Sequence, residues 1–152
     1  MADEVPAPEK SHGSDGRHRA REAAVQMLYQ WELGRLPVSQ AAEAFWSLRE
    51  SEPMAREHQR FAETLVTGVI ASLGRIDPMI TDAATHWRIE RMNVLDRIIL
   101  RLAVYEFLEQ PETPGKVVIN EALELARTFS SDEAVRFVNG ILDAIRRTLE
   151  RA

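Results

Sequence analysis

A chain of 152 residues suffices for one domain, and a domain of that size buries roughly 70% of its unfolded surface. With 45% hydrophobic and 28% charged residues, no apolar run near the ~20 residues of a membrane span, no signal-peptide core and no cysteine, disulfides and thiolate metal sites are excluded and a cytoplasmic globular protein is expected. The net charge of -5 excludes a general nucleic-acid coat, yet the stretch from Lys10 to Arg21 carries +3, so the remainder carries -8.

Residues 1–16, "MADEVPAPEKSHGSDG", are rich in Pro, Gly, Ser and charge and cannot bury enough surface to offset ordering entropy; they read as a disordered tail. From about Arg17 every periodicity is helical. The first helix runs to Leu33, with Ala24, Leu28 and Trp31 in one stripe, and ends at Gly34 before Pro37. A second covers roughly Val38–Glu50 and buries Ala42, Phe45 and Trp46, with Leu48 a further candidate. The third follows Pro53 with the stripe Phe61, Leu65, Val69, Leu73. Asp77-Pro78 reads as N-cap and first residue of a short fourth helix ending near Trp87. Asn93 and Asp96 frame the fifth, whose "VLDRIILRLAVYEFL" is apolar nearly all round and so should lie at the centre. Thr113-Pro114 begins a sixth helix over Gly115–Phe129, and "SSDE" caps a seventh that runs to Leu149. The expectation is all-α: residues 17–152 as one domain of seven helices, in packed halves of about 17–75 and 76–152.

Catalysis finds no foothold in this pattern. The four histidines lack HxxxH or HExxH spacing, no phosphate-cradling GxxxxGK[ST] or GxGxxG occurs, and the carboxylates sit at helix-face spacing with basic partners. No cofactor is expected. Arg97 and Arg101 lie four apart on the fifth helix and Glu106 falls near its apolar stripe; internal ion pairs are the favoured reading, partner contact the alternative.

The arginines at the first helix start are different. Cations oppose the macrodipole at a helix N-terminus. Arg17 and Arg21 continue the apolar stripe, whereas Arg19 points to the other side, a spread that suits a helix end lying across a phosphate backbone. On the sixth helix Lys116, Asn120 and Arg127 share a polar stripe opposite Ile119, Ala122 and Ala126. On the seventh, Phe137 lies at the apolar edge beside Arg136 and Gly140, where it could finish the core or form a platform for an unstacked base. Single-stranded RNA offers such bases, which favours RNA over duplex DNA.

"RHRAREAAVQMLYQWELG", "VLDRIILRLAVYEF" and "KVVINEALELARTFSSDEAVRFVNGILD" together resemble the NusB family of bacterial transcription antitermination factors, over about Arg17 to Arg146. The resemblance implies an all-helical fold of two packed subdomains and no enzymatic activity. It implies binding of the boxA sequence of nascent ribosomal RNA together with NusE, a small-subunit ribosomal protein, within an elongation complex of RNA polymerase and other Nus factors. The family's arginine-rich segment falls on Arg17, His18, Arg19 and Arg21, with His18 where arginine is usual, so one permanent charge is lost at neutral pH. Lys116 and Phe137 match the family's lysine and the aromatic of "FVNG". Tyr29 and Asp96 fall where the family meets partners, Asp96 in place of a more usual glutamate; Arg101 joins them as a candidate partner residue.

Three classes therefore stand at this stage. The leading one is an RNA-binding adaptor using Arg17, His18, Arg19, Arg21, Lys116, Asn120, Arg127, Arg136 and Phe137. The second is a helical protein scaffold or homodimer without RNA. The third, an enzyme, arises because similar helical domains precede the catalytic part of some RNA cytosine methyltransferases, and it is disfavoured since this sequence shows no cofactor-binding domain.

Overall fold

The computed structural model describes residues 12–34, 37–49, 53–84 and 88–150. Among them are seven α-helices and no strand: α1 (His12–Gly34), α2 (Val38–Ser47), α3 (Arg56–Ala71), α4 (Leu73–Ala83), α5 (Val94–Glu109), α6 (Gly115–Phe129) and α7 (Asp132–Thr148), with a single 3-10 turn at Ile89–Arg91 before α5. No described helix is long and apolar enough to cross a membrane.

The near-continuous apolar sequence of α5 decides the architecture. Every residue from Ile98 to Phe107 is buried except Arg101, and α5 packs against α1, α3, α4, α6 and α7. Around it α1, α2 and α3 pack on one another, and α6 pairs with α7 while α4 closes the other side. One contiguous apolar core runs through all of them, from Ala20 and Leu28 on α1 to Leu142 and Ile145 on α7. Close approach of α3 to α5 depends on Gly68: a Cβ there would lie 2.2 Å from the Tyr105 ring.

Local signals place most boundaries. Asn93 Oδ1 accepts from the Leu95 amide at 2.8 Å and Ser131 Oγ accepts from the Ala134 amide at 3.1 Å, so two of the expected N-caps are made. α6 has the expected limits, with Val118, Ile119, Ala122, Leu125 and Ala126 inward.

Four expectations need correction. α1 begins at His12, inside the segment expected to be a tail, whereas residues 1–11 lie outside the described ones. α2 stops at Ser47, short of Glu50, and α3 starts at Arg56. α4 does not start at Asp77-Pro78: it begins at Leu73, places Pro78 in its interior and ends at Ala83, with Trp87 outside the described residues. An interior proline forfeits one backbone hydrogen bond and crowds the carbonyl four residues back, here that of Gly74. Complete burial of Ile76 and Ile80, with Leu73 and Met79 packed beside them, outweighs that loss. The expected division near residues 75 and 76 consequently falls inside a helix. Finally, Asp96 does not close a capping box; it accepts from Ser130 Oγ at 2.7 Å and ties the start of α5 to the end of α6.

Replacing Gly68 by alanine forces the Tyr105 ring out of its site. The expected cost is about 1–3 kcal/mol of stability, read as a lower urea midpoint with an unchanged m-value.

Candidate nucleic-acid interface

α1 presents its first turns to three neighbours at once, and each basic side chain meets a different one. Arg21 is only 3% exposed and turns inward. Its Nε and Nη2 donate to Glu106 Oε2 and Oε1 on α5 at 2.7 and 2.9 Å, a bidentate pair, and Nη1 lies 3.6 Å from Glu121 on α6. Burial disfavours the charge on Arg21, but the hydrogen bonds and field of Glu106, with that of Glu121, more than compensate and raise its pKa. Arg21, expected among the RNA contacts, is therefore buried and held by carboxylates inside the fold.

His18 also faces carboxylates. Its Nδ1 lies 2.7 Å from Glu121 Oε1 and its Nε2 3.2 Å from Glu22 Oε2. Burial pulls its pKa down, yet Glu121 and Glu22 together pull harder, and the value stands above 6.5. Some of the charge lost by having histidine here is thus recovered, and two internal carboxylates absorb it.

Arg17 lies over the Phe61 ring of α3, its guanidinium carbon 4.3 Å from the ring centre. Arg19 has no hydrogen-bond or ion-pair partner among the described residues and borders a cleft between α1 and the end of α2. Sequence reasoning found the arginines and favoured an internal ion pair for Glu106, but it missed the pairings that sort them: Glu106 and Glu121 claim Arg21 and His18, and Phe61 takes Arg17. It also missed Arg49 on the far wall of that cleft, whose signal was its position four residues after Phe45.

On α6, Lys116, Asn120 and Arg127 are exposed as the stripe required; Arg127 is paired with Glu124 at 3.0 Å. The Glu121 contact to His18 sets this stripe beside the start of α1. Arg136 is exposed on α7, and Gly140 has open space where a Cβ would point. Phe137 is half-buried and lines an open groove of about 370 Å³ together with Asp96, Arg91, Met92, Ser131 and Glu133. Residues expected on separate RNA and protein surfaces, Phe137 and Asp96, thus share one groove. Tyr29 is 39% exposed on α1. Arg101 is not a free partner residue: it donates through Nε and Nη2 to both oxygens of Asp77 at 2.8 Å and approaches Glu32 at 3.4 Å, the internal ion pair favoured above. Arg97 likewise donates to the Ile89 carbonyl at 3.2 Å and approaches Glu32. No cluster able to hold a metal occurs among the described residues.

Comparison with known proteins places this geometry. The NusB family model matches residues 18–147. A transcription antitermination protein NusB from Solibacter usitatus is 47% identical over 88% of this chain and 90% of its own length, and one from Koribacter versatilis is 43% identical over the same shares. Among solved structures, a T. maritima NusB superposes with a TM-score of 0.78 at 32% identity, covering 94% of this chain and 93% of its own. A structure of antitermination factors NusB and NusE in complex with dsRNA matches with a TM-score of 0.76 at 26% identity, covering 88% of this chain and 98% of its own.

Two outcomes follow from the buried pair and from His18. Arg21→Ala leaves Glu106 buried without its partner and should cost about 3–5 kcal/mol, whereas Arg21→Met combined with Glu106→Leu should cost far less; denaturant unfolding of the three proteins checks this. Because the His18 pKa is raised on folding, its stabilisation is complete below about pH 6.5 and disappears as pH rises through the folded value. Wild type should therefore exceed His18→Gln in melting temperature at pH 6 by more than at pH 9.

Proposed function

The chain belongs to the NusB family, and from that premise we propose that it is a non-enzymatic transcription antitermination factor that binds a boxA-type ribosomal RNA leader together with NusE. One observation carries the RNA side of this reading. Seven arginines, Arg21, Arg75, Arg97, Arg101, Arg127, Arg146 and Arg147, face carboxylates, and among those that have no carboxylate partner among the described residues Arg17 and Arg19 stand two residues apart on the first turns of α1, in the most basic stretch of the sequence. In a protein of net charge -5, such uncancelled cations suit an external polyanion.

The RNA backbone would lie across the outer side of α1, held by Arg17 and Arg19, and continue along Lys116 and Asn120 of α6, with Arg127 and Arg136 at its margin. Arginines give affinity without sequence preference; an unstacked base against Phe137 would supply specificity. His18 and Arg21 act as positioning residues that hold α1 against α5 and α6. Because Asp96 shares the groove with Phe137, NusE and RNA would meet there, with Tyr29 a further protein contact on α1. Charge complementarity then favours a basic partner at Asp96, and two linked contacts strengthen each other through effective concentration. RNA polymerase and other Nus factors complete the assembly, in the cytoplasm. A homodimer, the remaining partner expectation, is tested by light scattering of the pure protein.

The test is an electrophoretic shift with boxA-type and scrambled single-stranded RNA and with duplex RNA, each with and without NusE. A shift that is strongest for boxA with NusE supports the reading; no shift in any combination favours a protein-only scaffold. Arg17→Ala with Arg19→Ala should weaken RNA binding and flatten its salt dependence by roughly 1.4 in log–log slope, two contacts at ~0.7 each for a single strand. An unchanged slope excludes both as phosphate contacts.

A further inference from the structure

The cleft between α1 and the end of α2 belongs to none of the surfaces above except through Arg19. Its walls are Arg19, Glu22 and Gln26 from α1, with Phe45, Trp46 and Arg49 from α2 and the turn that follows it, and it encloses about 90 Å³. Among the described residues, Arg49 is held there by neutral groups alone. Its guanidinium carbon lies 3.8 Å from the centre of the Phe45 ring, Nη2 donates to Gln26 Oε1 at 2.7 Å, and Nη1 reaches the Phe45 carbonyl at 3.4 Å. The nearby carboxylates are committed elsewhere: Glu22 lies against His18 at 3.2 Å, and Glu63 accepts from Trp46 Nε1 at 2.6 Å.

Two guanidinium groups without carboxylate partners among the described residues thus border one cleft in an acidic protein. Stacking on Phe45 and two bonds to neutral acceptors fix the Arg49 plane while leaving its charge uncancelled, which is the arrangement of a preorganised anion contact. We propose that Arg49, together with Arg19, binds a backbone phosphate of single-stranded RNA and extends the RNA path from the α6 side of α1 over to α2. This rests on the RNA-binding reading above. Phe45 is buried beneath the Arg49 guanidinium and meets Trp46 edge-on with ring centres 4.9 Å apart, so the contact inferred here is one of charge. Arg49 contributes affinity and salt dependence without base preference.

The experiment uses the full-length protein and a fluorescently labelled boxA-type single-stranded RNA, with affinity measured by anisotropy over a series of salt concentrations. Arg49→Gln should weaken binding about 3- to 10-fold at low salt, equally for boxA and scrambled RNA, and reduce the log–log salt slope by about 0.7; Arg49→Lys should keep most of the slope. In parallel, phenylglyoxal modification of wild-type protein, read by mass spectrometry, should show RNA protecting Arg49 as well as Arg19, a readout independent of how any variant folds. If Arg19→Ala weakens binding while Arg49→Gln retains wild-type affinity and slope, or if Arg49 stays unprotected while Arg19 is protected, this inference is overturned and the RNA reading stands. If the wild-type protein binds no RNA with or without NusE, the reading itself fails and this inference with it.

Discussion

The buried pair of Arg21 and Glu106 is the constraint around which the functional surface is arranged. Eighty-five positions separate the two residues, and their bidentate contact locks the start of α1 to the middle of the central helix. Glu121 extends the lock to α6 through Arg21 and His18. A desolvated ion pair of this kind contributes little net stability compared with apolar packing, but it is costly to break, so it specifies one arrangement of helices over its neighbours. That rotational choice for α1 decides which cations remain for a partner.

Once Arg21 is turned inward, the rest follows from helical geometry. His18, three residues earlier, comes beside α6 and meets Glu121; Arg17 comes over α3 and stacks on Phe61; Arg19 is left on the outer side toward α2. A cluster that looks uniform along the chain is thus divided into a buried cation, a carboxylate-bound histidine and two half-buried guanidinium groups without carboxylate partners among the described residues. Six further arginines, Arg75, Arg97, Arg101, Arg127, Arg146 and Arg147, are neutralised by carboxylates within the described residues, whereas the start of α1 keeps two that are not.

The same helix packing joins the two binding roles. Asp96 leaves its own helix start to accept from Ser130, and this draws the beginning of α5 against the turn between α6 and α7. Phe137 then lies in the same groove, so an aromatic surface suited to a base and a carboxylate suited to a basic protein are neighbours. Gly68, by admitting Tyr105, lets α3 approach α5 closely, and Phe61 on the same helix lies under Arg17 of α1.

What was legible in the sequence is what depends on a few consecutive residues. The central position of α5, the limits of α6, the caps at Asn93 and Ser131 and the outward stripe of Lys116, Asn120 and Arg127 follow from apolar periodicity and local side-chain chemistry. The motifs from Arg17 to Phe137 likewise identify the family without coordinates. Tertiary structure alone decided which charges are free. Arg21 and Arg17 share a stripe on the helical wheel, yet one is claimed by a carboxylate on α5 and the other by a ring on α3. Asp77 reads locally as a cap but serves Arg101 from inside a helix that Pro78 was expected to begin. Local propensity is worth at most about 0.7 kcal/mol for an ordinary residue and about 3 kcal/mol for an interior proline, whereas burying a stripe such as Ile76 and Ile80, or leaving a buried charge without its partner, weighs as much or more and is set by residues far away in the chain.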